Sequence, residues 1–173
     1  MGYTTDFEGS FKLDKPLIEA HAAYLRRFAE TRRMKRDPAL TETRSDPVRE
    51  AVGLPVGKEG GYFVAETGFA GQDHGEDVVD HNRAPAGQPG LWCQWVPNED
   101  GTAIEWDMGE KFYEYTDWLV YLIEHFLEPW GYVLNGEVMW QGEESSDRGR
   151  LYVKDNKVAA KEATITYPEP DWD

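Results

Sequence analysis

Residues 68 to 82, GFAGQDHGEDVVDHN, set two of the chain's four histidines among several carboxylates. Imidazole and carboxylate together suit a divalent ion such as zinc, iron or manganese, or a general acid/base pair. Asp73, His74, Asp77 and His81 are the candidates for metal ligation and for catalysis, with Glu76 and Asp80 as further oxygen donors. The spacing matches no familiar site. Two histidines sharing a helix face stand four apart, whereas His74 and His81 are seven apart with Gly75 directly after the first. An exposed acidic loop with helix-cap roles accounts for the same residues. The two readings differ in whether Asp73, His74 and Asp77 converge in a pocket.

Other catalytic patterns are missing from the sequence. There is no G-x-S-x-G elbow, no P-loop and no G-x-G-x-x-G after a strand. The single cysteine, Cys93, lies in the apolar run LWCQW and reads as a buried thiol, so neither an internal disulfide nor a Cys-rich zinc site is available. A second chemistry could come from RRFAETRRMKR, residues 26 to 36, where Arg32, Arg33 and Arg36 would clamp an anion. These charges are spread round the segment and do not line one face, so pairing with the acidic remainder, or with the acidic face of a second subunit, is the plainer reading. Six of the seven tryptophans fall between residues 92 and 140, and most are expected in the core. Trp130 and Trp140 with Glu143, Glu144 and Asp147 are the candidate partner-binding group, since aromatics in a surface groove make binding hot spots.

The elements that must position these residues follow from periodicity. YTTDFEGSFKL (3 to 13) alternates as a strand with a bulge at Gly9, and LIEAHAAYLRRFAE repeats at helical spacing after Pro16. Residues 37 to 61 form a connector with a short helix over 47 to 52, opened by Asp46-Pro47 and closed at Gly53. GGYFVAE reads as a short strand, and residues 68 to 90 as a long irregular loop. LWCQWVP and TAIEWD flank a hairpin turn at Asp100-Gly101. Asp107 and Glu110 have capping-box spacing, which predicts a helix from about that point through EKFYEYTDWLVYLIEHFL, ended by Pro129 and Gly131. YVLNGEVMWQG, GRLYVKD and KVAAKEATITY (157 to 167) then read as antiparallel strands, and residues 168 to 173 as a frayed tail. The whole, 1 to 173, is one domain of α+β class: a mostly antiparallel sheet covered on one face by two helices, a ferredoxin-like plan with extra strands.

Eighteen basic against 33 acidic side chains leave a net charge of −15. A field of that sign repels nucleic acid except at residues 26 to 36, and favours a basic protein surface as partner. A homodimer placing one subunit's basic patch on the other's acidic face is a further expectation. No stretch is apolar enough to cross a membrane and no secretory leader is visible, so a cytoplasmic setting without resident cofactor is expected, a divalent metal being the exception if the His/Asp group converges.

The runs EGGYFV, GFAGQDH, PGLWCQWVP, IEWD, GEKFY, PWGY, LNGEV, WQGE and VKDN resemble a group of small acidic hypothetical proteins from bacterial and phage genomes, over nearly the whole chain. The resemblance carries no activity and no catalytic residues. It implies a phage or mobile-element setting, in which small acidic proteins inhibit nucleases or defence complexes by presenting carboxylates where DNA phosphates would sit. The reading is therefore a non-enzymatic acidic binding protein, an inhibitor or nucleic-acid mimic, with the His/Asp site and arginine clamp as the alternative.

Overall fold

The computed structural model describes residues 2–65 and 75–173. Two sheets form among them. The larger has six strands, β1 (Thr5–Leu13), β4 (Trp95–Pro97), β5 (Ala103–Trp106), β6 (Leu134–Gly142), β7 (Arg148–Lys154) and β8 (Lys157–Glu162), in the order β4-β5-β1-β6-β7-β8. Each neighbouring pair is antiparallel. With α1 (Glu19–Glu30) between β1 and β4, and α4 (Tyr115–Leu122) between β5 and β6, the first four strands of this sheet have the ferredoxin-like order, and the β7–β8 hairpin extends it at the β6 edge. A small ribbon pairs β2 (Lys35–Arg36) with β3 (Val78–Asp80), and α2 (Pro38–Thr41) and α3 (Pro47–Ala51) fill the connector.

The core lies between the helices and one face of the sheet. Phe11, Trp95, Ile104, Leu134, Val138, Leu151 and Val153 point inward from the strands to meet Leu25 and Phe28 of α1 and Trp118, Leu119 and Leu122 of α4. Alternation explains the choice, because every second strand residue shares a face. Phe7 stands edge-on to Trp95, Trp106, Phe112 and Tyr115 with ring centroids 4.9 to 5.8 Å apart. Burial pushes the Cys93 thiol up to about 12, so it is inert in this core, as its apolar surroundings predict.

Four local expectations are corrected. β1 has no bulge at Gly9, because its register with β6 runs unbroken from Thr5↔Gly142 to Leu13↔Leu134. Gly9 and Gly136 instead let the two strands approach with φ of 110° and 140°; a Cβ on Gly136 would stand 3.0 Å from the Ser10 carbonyl oxygen and 3.1 Å from the Phe11 Cα. The first helix begins at Glu19, since Ile18 has extended backbone with ψ of 154° and stands as its N-cap, while the Leu17 N–H is taken by the Gly101 carbonyl at 2.9 Å.

The second helix begins only at Tyr115. Asp107 accepts the Gly109 N–H at 2.7 Å in a local turn, and Met108, Lys111 and Glu114 all have left-handed backbone that breaks any helix there. Burial of Phe112, 1% exposed, holds this loop against the core. The helix then widens into a π-type turn over Ile123–Leu127, where the Glu128 N–H reaches the Ile123 carbonyl. Finally, β8 stops at Glu162 instead of continuing to 167, and residues 163–173 are exposed with no regular structure.

Candidate functional site

The expected strand GGYFVAE shows where the basic segment goes. Residues 61–65 have no strand partner, yet Phe63, Val64 and Ala65 are buried, so their main-chain groups need other partners. Side chains supply them. Arg33 Nη2 donates to the Gly61 and Phe63 carbonyls at 3.0 and 2.7 Å, and the Tyr24 hydroxyl donates to the Tyr62 carbonyl at 2.8 Å. The Val64 N–H donates to Asp46 Oδ2 and the Ala65 N–H to Thr31 Oγ1, both at 3.2 Å. Arg33 thus takes the place of a missing strand. It is 2% exposed and stacks over Phe28, and burial draws its pKa down to about 10.

Arg36 is equally buried and donates to Asp77 Oδ2 at 2.8 Å. Thr41 Oγ1 and Arg44 Nη1 also donate to that carboxylate, at 3.0 and 3.4 Å. Burial works to raise the Asp77 pKa, but Arg36, Thr41 and Arg44 outweigh it and hold it below the usual range. Arg32 donates to the His81 carbonyl and the Asn82 side chain, at 3.0 and 3.1 Å. Of the two readings of residues 26 to 36, pairing within the chain describes the structure, because Arg33 and Arg36 point inward and the others meet carbonyls or acids. Lys35 faces Glu59 at 3.6 Å, Arg27 meets Glu30 at 3.1 Å, and Arg26 Nη2 donates to the Asn98 carbonyl at 2.8 Å.

Asp73 and His74 lie outside the described residues. Of the remaining candidates, Asp77 is a buried structural anion and His81 stands on the ribbon's exit, its carbonyl held by Arg32. Among the described residues, no three His, Cys, Asp or Glu side chains gather as a metal would require. The candidate partner group is also brought together in an unexpected way. The Trp140 indole donates to Asp147 Oδ1 at 3.0 Å and the Tyr3 hydroxyl to Asp147 Oδ2 at 2.7 Å, while the Thr4 N–H donates to Glu143 at 2.7 Å and the Glu144 N–H to the Tyr3 hydroxyl. These residues pin the N-terminal segment to the β6–β7 turn. Trp130 is elsewhere, stacked on His21 at 3.9 Å beside the Tyr132 hydroxyl. Desolvation lowers the His21 pKa there.

A different group of residues faces solvent together. Between α1 and the β4–β5 hairpin opens a cleft of about 600 Å³, lined by Glu30, Trp92, Gln94, Asp107 and Glu110 with Arg26 at its rim. The Arg26 guanidinium is already engaged by the Asn98 and Glu99 carbonyls. Gln94 holds the wall, donating to the Glu110 carbonyl at 2.8 Å and accepting from the Trp106 indole at 3.2 Å. Although the Asp107 residue is exposed as a whole, its carboxyl is partly shielded; burial raises its pKa, opposed only by the Gly109 N–H. An indole beside carboxylates, one of them short of compensation, is chemistry that receives a cation. The capping-box spacing concealed this, because Asp107 and Glu110 read as helix-forming residues and Trp92 as core.

Comparisons with protein-family models, with curated proteins and with solved structures gave no match. Among the described residues, no helix is long and apolar enough to cross a membrane.

Proposed function

We propose that this is an acidic binding protein that engages a basic protein partner through the cleft at Trp92, Asp107 and Glu110. The observation that supports this most is the open cleft itself, which Trp92, Asp107 and Glu110 line together, with burial raising the Asp107 pKa. A lysine or arginine of the partner supplies the missing counter-charge and stacks on Trp92. The net charge of −15 draws such a partner in from a distance and sets a salt-dependent association rate. Inhibition of a basic nucleic-acid-binding protein, in a phage or mobile-element setting, is the finer reading consistent with this chemistry.

Titration with a short arginine-rich peptide, followed by tryptophan fluorescence, tests it. Glu110→Gln and Trp92→Leu should each weaken binding by roughly five- to thirtyfold, the size of a contact worth about 1–2 kcal/mol. Equal loss on removing a remote acid such as Glu42 would reduce the effect to net charge and end the proposal.

A further inference from the structure

The cleft at Trp92 has a wall that leaves its acids little freedom. Trp92, Gln94 and Val96 alternate onto it, whereas Cys93 and Trp95 between them fall in the core. Gln94 is 8% exposed and bonds to both acid-bearing residues of the turn that follows β5. Its carbonyl accepts the Asp107 N–H at 3.0 Å, and its side-chain amide donates to the Glu110 carbonyl at 2.8 Å while accepting from the Trp106 indole at 3.2 Å. That amide has one workable orientation, because a carbonyl can only accept and an indole N–H can only donate. Gly109 closes the same turn. Its N–H donates to Asp107 Oδ1 at 2.7 Å, and a Cβ there would stand 2.8 Å from that oxygen and 2.9 Å from Gln94 Oε1. On either side, Met108 and Lys111 hold left-handed backbone with φ of 69° and 57°, which residues with a Cβ adopt when their surroundings impose it. Glu30, the third acid of the cleft, is engaged by Arg27 at 3.1 Å, so Asp107 and Glu110 are the pair that meets a ligand.

We propose that this cleft selects arginine over lysine side chains, with Gln94 and Gly109 as the positioning residues that set the Asp107 and Glu110 carboxylates for a planar guanidinium. The inference rests on the reading of the cleft as a cation receptor and narrows the cation. A guanidinium presents five N–H donors in one plane, so it can lie flat on the Trp92 indole and still bond in its own plane to carboxylates on a rigid frame. An ammonium is a compact charge that holds its water more tightly. It gains nothing from carboxylates whose directions are fixed, and it gives up more hydration on meeting an indole. The Asp107 carboxyl is partly shielded from water, which widens the difference.

Fluorescence titration of the full chain with two peptides of equal length and charge, one carrying arginine wherever the other carries lysine, tests this. The wild type should bind the arginine peptide about fivefold or more tightly. Gln94→Met, which removes both side-chain bonds, and Gly109→Ala, whose Cβ presses on Asp107 and Gln94, should each bring that ratio below about twofold. The salt dependence of the remaining binding should keep its slope, because neither change alters the net charge. A circular dichroism melt identifies a variant that has unfolded, and Gly109→Ala carries the test should Gln94→Met fail to fold. Equal affinity of the wild type for the two peptides overturns the selection while leaving cation binding in the cleft standing. Binding of neither peptide removes the reading of the cleft, and this inference with it. A preference that persists in both folded variants overturns the role given to Gln94 and Gly109, and one that survives Trp92→Leu overturns the proposal by placing the contact on another surface.

Discussion

At the scale of single residues, the connector is held by charges that the sequence displays but does not locate. Asp77→Asn should cost about 3–5 kcal/mol in urea unfolding, because Arg36 would remain buried beside a weaker partner. The pH dependence has a definite sign. A carboxyl held below its ordinary pKa stabilises the fold above the unfolded value and loses that contribution as pH falls through the folded one, so Asp77→Asn should flatten part of the acid-side loss of stability. Asp107 acts in the opposite sense. Its raised pKa means that ionisation works against the fold at neutral pH, an effect that fades as pH falls through the folded value. Asp107→Asn should therefore raise the Tm slightly at pH 7, and by less at acid pH, while weakening cation binding. Arg33→Met keeps much of the bulk but strands the Phe63 carbonyl, while Gly61 keeps the Gln88 amide, and should cost about 1–3 kcal/mol. In the sequence, Arg33 and Arg36 are indistinguishable from a surface patch. The unpaired backbone of residues 61–65 and the position of Asp77 bury them, and both are tertiary facts.

At the scale of elements, the regular pieces were legible and the irregular junctions were not. The alternation in 3 to 13 and 132 to 142, the Asp100-Gly101 turn and the stripe through Leu119, Leu122 and Phe126 correspond to β1, β6, the β4–β5 hairpin and α4, so the antiparallel sheet and its two covering helices could be read directly. The start of α4 could not, since left-handed backbone at Met108, Lys111 and Glu114 falls on residues that give no local sign of it. The strain there is measurable. Glu114→Gly should stabilise the protein by about 1 kcal/mol in chemical denaturation, because glycine adopts φ 55° without the steric cost that a Cβ brings. Where β1 crosses β6 the sign reverses. Gly136→Ala should destabilise by about 1–3 kcal/mol, as its Cβ would press on the β1 backbone.

At the scale of the whole molecule, charge is distributed differently from its order in the sequence. The basic segment 26 to 36 is absorbed by the interior, by backbone carbonyls and by local acids, while β7 and β8 carry five exposed cations, Arg148, Arg150, Lys154, Lys157 and Lys161. The cleft at Trp92 is built from three separate stretches, and only the ferredoxin-like packing of α1 against β4 and β5 brings them together. Cation binding in this cleft is the central claim, and the ionisation of Asp107 reports on it directly. Carboxyl carbon NMR across a pH titration, with and without an arginine-rich peptide, should show Asp107 titrating above the ordinary aspartate range in the free protein and well below it when the peptide is bound. A peptide that binds while the Asp107 titration stays unchanged would contradict that claim and place the contact on another acidic surface.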